Sequence, residues 1–305
     1  MTIRSGSRLE RLLHDGTFCV TAEVVPPRSA DPAPVVAQAA ALLGYADAAN
    51  VTDNPTAAVH MSPVAGAALV AGVGVEPTVQ LTCRDRNRLG LTSDLLGAWA
   101  VGARNVLCLT GDPAGLGDHP GAKEVFDLTV LDLIRLAVRL RDEGRLLSGQ
   151  VVEPRPRFFV GVAELPLADP YDPSRLEQKA EAGADFVQTQ IVYDVDAFGE
   201  WVERVRPRGI AERMFVLAGV APPRGPKTLR FMREHLPGVV VSDALVERLE
   251  AAGPDAEGEG VRATVEIVER LRAIPEIRGV HVMGIGREEG VVRVIRDAGL
   301  LPRPA

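Results

Sequence analysis

Cysteine is scarce in this sequence of 305 residues, and the three cysteines present, Cys19, Cys83 and Cys108, are odd in number. Each lies in an apolar, strand-like run, which favours reduced core residues over a disulfide framework. We therefore expect no disulfide-stabilised extracellular domain. The three thiols are predicted to behave as small buried hydrophobic groups.

Long apolar runs and blocks of basic charge are also lacking. No stretch of about 18 apolar residues occurs, as a membrane-spanning helix would need, and the segment MTIRSGSRLE has no hydrophobic signal-peptide region. The formal net charge is −7, and the 34 lysines and arginines are spread along the chain. These features argue against a membrane or nucleic-acid partner and predict a soluble, cytoplasmic protein. They are compatible with a homo-oligomer.

What the chain does contain is a regular alternation of short β-rich runs and longer amphipathic stretches. Hydrophobic residues make up 46% of the sequence, enough for one barrel-sized core. Stretches such as VLDLIRLAVRLRDEG carry apolar residues at helical spacing, and the alternation is typical of parallel βα units. The eight candidate strands are 17–25, 47–52, 76–83, 103–110, 157–163, 184–191, 212–219 and 277–284.

Eight βα units predict an α/β fold of the (β/α)8 TIM barrel type, with a single domain over residues 1–305. A doubly wound open sheet is the structural alternative, because periodicity alone does not show that a sheet closes. The run GVGVE at 72–76 lacks the G-x-G-x-x-G form, so a Rossmann dinucleotide site is not predicted.

Polar residues end most of the candidate strands, and barrel active sites lie at these carboxyl ends. A barrel would therefore bring these side chains towards one pocket. They are Glu23, Thr52, Asp53, Gln80, Thr82, Thr110, Asp112, Glu164, Gln188, Gln190 and His281.

Each of these residues also has a purely structural interpretation. Glu23 could face outward beside the Pro26–Pro27 turn, and Asp112 could be a turn residue. Gln188 and Gln190 are two positions apart and share a strand face. His281 is typical of a satisfied core histidine, and no second histidine or cysteine lies at zinc-like spacing, so no metal site is expected.

Several motifs, taken in order, resemble those of the methylenetetrahydrofolate reductase family across about residues 10–300. They are TAEVVPPR, QLTCRDRNRLGLTSDLLGAWAVGARNVLCLTGDP, GDHPGAKEVFDL, AGADFVQTQIVYD and GVHVMGIG. The resemblance implies a (β/α)8 barrel with a flavin, FAD, at its carboxyl-terminal face. It also implies hydride transfer from NAD(P)H through the flavin to 5,10-methylenetetrahydrofolate, giving 5-methyltetrahydrofolate.

The resemblance assigns roles to three polar strand ends. Glu23 matches the family's acid, which protonates the departing nitrogen when the substrate's five-membered ring opens. Asp112 matches an aspartate near the flavin that hydrogen-bonds the pterin, and Gln190 matches a glutamine on the pterin edge. Glu23 and Asp112 are therefore the catalytic candidates, and Glu23, Asp112 and Gln190 are the folate-binding candidates.

Six positions are candidate flavin contacts by the same comparison. Thr52, Gly111, Asp112 and Lys179 match family contact positions, whereas Gln80 and Thr110 stand where a histidine and an arginine are common. These departures suggest one alternative, a reductase of the same fold that takes hydride directly from a nicotinamide. A second alternative comes from a different class of protein, a folate-binding barrel subunit of one-carbon metabolism without reductase activity.

Overall fold

Eight parallel strands close into a barrel in the order β1 to β8 in the computed structural model, which describes residues 3–284 and 287–304. β1 (Cys19–Val24) pairs with β8 (Ile277–Val282) as well as with β2 (Ala48–Val51). This closure confirms the TIM barrel and excludes the open sheet. All eight candidate strands are confirmed, and the others are β3 (Pro77–Thr82), β4 (Asn105–Leu109), β5 (Phe159–Glu164), β6 (Phe186–Ile191) and β7 (Phe215–Val220). Ile285 and Gly286, which end the GVHVMGIG motif, and the terminal residues 1, 2 and 305 of the predicted domain lie outside the described residues.

Helices surround the barrel and cover its amino-terminal end. Those within the described residues are α1 (Arg8–His14), α2 (Ala33–Leu42), α3 (Pro63–Val73), α4 (Arg88–Ala100), α5 (Val130–Glu143), α6 (Pro173–Glu181), α7 (Val195–Val205), α8 (Ile210–Arg213), α9 (Pro226–His235), α10 (Asp243–Ala251), α11 (Ala256–Arg272) and α12 (Glu288–Asp297). In the part of the chain that the structure describes, none of these helices combines the length and apolar character needed to cross a bilayer.

Helix α5 shows how the local sequence sets the ends of an element. The Thr129 hydroxyl accepts a hydrogen bond from the Asp132 backbone N–H, and the Asp132 carboxylate accepts one from the Thr129 N–H. This capping box satisfies two amide groups at the start of the helix. Gly144, at φ 62°, ends it in the left-handed conformation that glycine adopts without strain.

Aromatic side chains fill the amino-terminal half of the barrel interior. Phe159 and Phe186 stack with their ring centroids 4.8 Å apart, and Phe215 packs beside Phe159. Leu9 and Leu13 of α1 belong to the same buried cluster and cover this end. The amino-terminal end is therefore a packed core, and space for ligands is left at the carboxyl-terminal end.

A fully buried carboxylate, Asp47, ties the two ends of the chain to the barrel. Its oxygens accept hydrogen bonds from the Val20 N–H at 2.8 Å and from Arg8 Nη1 at 3.1 Å. Arg303 forms a salt bridge with the same group and also donates to the Phe18 carbonyl. Asp47 therefore connects α1, β1 and the carboxyl-terminal segment, next to the point where the barrel closes.

The three cysteines are buried and unpaired, as predicted from their apolar neighbours. Burial raises the pKa of the Cys83 thiol to about 11. It also raises the pKa values of Cys19 and Cys108, so all three thiols remain protonated at neutral pH. A protonated, buried thiol is a poor nucleophile.

We expect the native protein to resist alkylation by iodoacetamide at neutral pH under conditions that fully label the unfolded chain. Mass spectrometry of the intact protein measures the number of labelled cysteines, and folding is followed by circular dichroism. Labelling of a folded sample at the rate of the unfolded one would contradict the burial of these thiols.

The absence of a side chain at Gly161 on β5 makes room for the Phe186 ring, because a Cβ at position 161 would overlap that ring. We expect Gly161→Ala to destabilise the fold by about 1–3 kcal/mol through overpacking. Gly72→Ala is the matched control, since a Cβ there meets nothing within 4 Å and the residue lies inside α3. Thermal unfolding of both variants is the measurement, and equal melting temperatures would show that the interior accommodates the added methyl group.

Candidate functional site

The carboxyl ends of neighbouring strands and the loops that follow them enclose a cavity of about 700 Å³. It lies where active sites of TIM barrels are found. Five of the residues predicted from the sequence as cofactor contacts line it, namely Gln80, Thr110, Gly111, Asp112 and Lys179. The structure therefore brings these five positions together around one space.

Three other predicted residues lie outside the lining of this cavity. Thr52 is buried, and its hydroxyl has no hydrogen-bond partner among the described residues. The Gln190 side chain donates to the Pro237 carbonyl at 3.3 Å and accepts from the Ile191 N–H. Glu23 faces the barrel interior instead. The residues predicted to share one pocket are thus distributed between the cavity lining, the barrel interior and positions outside both.

Helix α6 supplies two cationic side chains to the cavity wall. Lys179 Nζ donates to Glu164 Oε2 at 2.8 Å and to the Ala163 carbonyl at 2.7 Å. Arg175 lies four residues earlier and therefore on the same helix face. It lines the cavity without forming a salt bridge within the described part of the chain. Because Glu164 neutralises Lys179, Arg175 is the α6 cation that suits an anionic ligand group.

The long loop after β4 is held against the loop after β2. Asp112 Oδ2 accepts a hydrogen bond of 2.8 Å from the Thr56 backbone N–H. Asn54, Thr56 and Ala57 all have φ between 47° and 57°, a conformation that is uncommon for residues other than glycine. A Cβ at Gly117 would collide with the Ala57 carbonyl. Asp112 therefore connects two loops. A turn residue would instead form its hydrogen bond within its own loop.

Arg84, in the CRDRN run, is a site residue that the sequence did not reveal. Its guanidinium is nearly fully buried, lines the cavity and forms a two-pronged salt bridge with Asp85. It also donates to the Asp112 carbonyl at 3.0 Å. The alternation of arginine and aspartate in this run was the available signal. Only the fold shows that the Arg84 side chain turns towards the cavity.

Asp53 organises the wall between β2 and β3. Its carboxylate accepts hydrogen bonds from the N–H and hydroxyl of Thr82 at 2.8 and 2.9 Å. Arg86 donates to both oxygens and also pairs with Asp94. Asp53 therefore holds the loop after β2 in place, with its charge balanced by Arg86.

A neutral hydrogen-bond network crosses the barrel interior above the phenylalanines. The Gln188 amide exchanges hydrogen bonds with Asn50, at 2.6 and 3.3 Å. Gln188 also donates to the Thr21 hydroxyl at 3.1 Å, and Thr21 Oγ1 lies 2.9 Å from His281 Nδ1. Burial lowers the pKa of His281 to about 4, so the ring is neutral at neutral pH. Gln188 and His281 are thus interior residues.

Glu23 lies one step further towards the barrel mouth on β1. It follows Thr21 by two positions and shares its inward face, so the interpretation of Glu23 as an outward-facing residue is wrong. Its side chain forms no hydrogen bond or salt bridge with the described residues, and desolvation raises its pKa to about 7. A carboxyl group in this state is partly protonated at neutral pH and can donate a proton.

Comparisons with curated proteins agree on one family name. Methylenetetrahydrofolate reductase 2 of Schizosaccharomyces pombe is 29% identical over 233 residues, which cover 74% of this chain and 36% of the relative. A probable methylenetetrahydrofolate reductase (NADPH) of Caenorhabditis elegans is 25% identical over 315 residues, covering 96% and 44%. The chain therefore spans less than half the length of these relatives.

A solved structure from Clostridium thermocellum has the same fold, with a TM-score of 0.65 and 12% identity over 96% of this chain and 99% of that one. That protein is described as uncharacterised and as binding two copies of 5-methyl-5,6,7,8-tetrahydrofolic acid. At this identity the likeness establishes the barrel alone. The model of the methylenetetrahydrofolate reductase family matches residues 8–299. With nearly the whole barrel matched, the chain belongs to the methylenetetrahydrofolate reductase family.

Proposed function

We propose that this chain reduces 5,10-methylenetetrahydrofolate to 5-methyltetrahydrofolate, with NAD(P)H as the source of hydride and a bound flavin as the carrier. The observation that carries the proposal is the state of Glu23, an inward-facing carboxyl group at the barrel mouth with a pKa of about 7. The curated relatives named as NADPH-linked and NADH-linked reductases support this choice of reaction. The folate-binding protein of the same fold supports the choice of substrate.

The reaction needs one proton and one hydride. Protonation of a ring nitrogen breaks its bond to the bridging carbon and leaves a cationic iminium, and hydride addition then converts that carbon to the methyl group. Glu23 supplies the proton, because desolvation keeps a substantial fraction of its carboxyl groups protonated at neutral pH. None of the described residues forms an ion pair with Glu23 that would hold it ionised.

The cavity has features that fit FAD. Arg175, which forms no salt bridge among the described residues, provides positive charge for a diphosphate, and the Tyr171 hydroxyl in the cavity lining is buried without a partner among the same residues. Gln80, Thr110 and Gly111 border the same space. A bound flavin would supply the capacity to take hydride from a nicotinamide and pass it to the folate carbon.

Asp112 and Gln190 are proposed to hold the pterin. Asp112 Oδ2 is engaged by the Thr56 N–H, while Oδ1 makes no hydrogen bond within the described residues and can accept from pterin N–H groups. The Gln190 amide contacts the Pro237 carbonyl at 3.3 Å, a long hydrogen bond that a pterin edge could replace.

We expect Glu23→Gln to lower the rate of folate reduction by about 10²–10⁴-fold, the range that a general acid contributes. Oxidation of NAD(P)H by an artificial acceptor should stay within about twofold, because that half-reaction needs no acid. Glu200→Gln, an exposed change on α7, is the control. Stopped-flow measurement separates the two half-reactions, and retention of more than about a tenth of the folate rate would exclude Glu23 as the acid.

The same assignment predicts a pH dependence. The protonated carboxyl group is the active form, so the folate step should slow as the pH rises through about 7. This decrease in rate with rising pH should be absent from the residual activity of Glu23→Gln, because the variant has no ionisable group at that position. The pH profile of the folate step in both proteins is the measurement.

We expect the purified protein to show the visible absorbance of oxidised flavin, or to acquire it on incubation with FAD. Arg175→Gln should weaken FAD binding by about tenfold, since one charge-assisted hydrogen bond to the diphosphate is lost. Arg224→Gln, an exposed change outside the cavity lining, should leave binding unchanged. If the protein reduces the folate without binding FAD, the flavin is excluded as the carrier, and hydride passes directly from the nicotinamide to the folate.

A further inference from the structure

The backbone of Arg84 is held between the two arms of the long loop after β4. Its N–H donates to the Thr110 carbonyl at 3.1 Å, where the loop leaves the strand, and its carbonyl accepts from the Val125 N–H at 2.8 Å, where the loop returns. Because both backbone groups are engaged, the Arg84 side chain starts from a fixed point. A substitution at this position changes the side chain and leaves both backbone groups available for these hydrogen bonds.

The Arg84 guanidinium is held in one orientation by Asp85. Its Nε and Nη2 atoms donate to the two carboxylate oxygens at 2.7 and 2.6 Å, a bidentate pair that fixes the plane of the group. The Arg84 side chain is only 3% exposed, whereas that of Asp85 is 36% exposed. Asp85 therefore holds the guanidinium from the more exposed side, and Nη1 lies on the edge away from this pair.

The same guanidinium contacts both loops that meet at the Asp112 carboxylate. Nη1 donates to the Asp112 carbonyl at 3.0 Å, and Nη2 donates to the Asn54 carbonyl in the loop after β2 at the longer distance of 3.4 Å. The Asn54 side chain donates in turn to Asp85 at 3.3 Å. Two residues further along this loop, the Thr56 N–H donates to Asp112 Oδ2 at 2.8 Å. Arg84 thus holds the backbone on both sides of the hydrogen bond that orients the carboxylate.

The backbone on both sides of this hydrogen bond has positive φ angles. Asn54 and Thr56 have φ of 47° and 53°, a conformation that persists in residues other than glycine where the surrounding contacts maintain it. Gly111, just before Asp112, has φ of 95°, and a Cβ there would lie 2.9 Å from the Arg84 Cβ. The loop after β4 therefore packs closely against Arg84. We expect the position of the Thr56 N–H to depend on the contacts that Arg84 makes.

We propose that Arg84 is a positioning residue for Asp112: its guanidinium, held by Asp85, fixes the two loops whose contact orients the Asp112 carboxylate towards the pterin of the folate. The role rests on the proposed function, in which Asp112 Oδ1 accepts from pterin N–H groups. Arg84 acts on the folate through Asp112, so its side chain should have no effect on folate affinity in a protein that lacks the Asp112 carboxylate.

Replacement of Arg84 by lysine separates geometry from charge. Lysine keeps the positive charge, but its single ammonium group lacks the planar fork that contacts Asp85 and two carbonyls together. Arg88→Lys is the matched control, because Arg88 also forms a two-pronged salt bridge with an aspartate, Asp127, and it is an exposed residue at the start of α4. Both variants are compared with wild type in the full-length protein.

The first measurement needs no ligand. Nitrogen-15 NMR of protein labelled at threonine reports the Thr56 amide, whose signal is identified by its loss in Thr56→Ser. Asp112→Ala removes the acceptor and gives the position of this signal without the hydrogen bond. We expect Arg84→Lys to move the Thr56 amide proton towards that position and Arg88→Lys to leave it in place. A Thr56 signal that is the same in wild type and Arg84→Lys would overturn the proposal.

The second measurement is the binding of 5-methyltetrahydrofolate, followed by isothermal titration calorimetry. We expect Arg84→Lys to weaken binding by about tenfold, the lower end of what one hydrogen bond to a charged group contributes. In the Asp112→Ala background the same substitution should change the affinity by less than about twofold, because residues that act through one contact are not additive. Equal losses in both backgrounds would show that Arg84 acts independently of Asp112 and would overturn the proposal.

Asp85→Asn provides a second variant if the buried substitution at Arg84 prevents folding. Asp85 is more exposed, and an amide keeps only one acceptor oxygen for the guanidinium. This variant should move the Thr56 signal in the same direction as Arg84→Lys and weaken folate binding, and an unchanged signal with unchanged affinity would overturn the proposal. If wild type binds no 5-methyltetrahydrofolate, the proposed function fails, while the Thr56 signal still decides whether Arg84 maintains the contact with Asp112.

Discussion

The pairing of β1 with β8 is the interaction on which the rest of the structure depends. It converts a row of βα units into a closed barrel, so that inward side chains from distant parts of the chain face one another. Thr21 and His281 are separated by most of the sequence, yet they are cross-strand neighbours. Asp47, with Arg8 and Arg303, secures the chain next to this junction.

Charge in this barrel is arranged in two different ways. Around the cavity, Arg84 and Arg86 are neutralised by aspartates, and Lys179 is neutralised by Glu164. In the barrel interior, Thr21, Asn50, Gln188 and His281 are uncharged, and Glu23 has no ionic partner within the described parts of the chain. The ion pairs around the cavity position its loops. Because each pair is neutral overall, the pairs exert only a weak electric field on Glu23. Desolvation is then free to set the protonation state of Glu23.

Much of this arrangement could be predicted from the residues. The eight strands followed from apolar runs bounded by turn signals, and the polar strand ends located Gln80, Thr110 and Asp112 near one cavity. Arg84 could not be placed in the same way, because an arginine in a loop can point outward as easily as inward. The contact between Asp112 and Thr56 depends on an unusual left-handed loop conformation, for which the sequence carried no glycine as a signal.

By itself, the sequence determined the barrel class, the buried and inert cysteines, the family and the set of polar residues at the strand ends. Periodicity and residue type carry this information locally, over a few positions at a time. The tertiary structure alone decided that Gln188 and His281 join Thr21 and Asn50 in one neutral network beneath Glu23. It also decided that Arg84 turns towards the cavity. These features depend on strand register and on burial, which arise only when the sheet closes and removes the side chains from water.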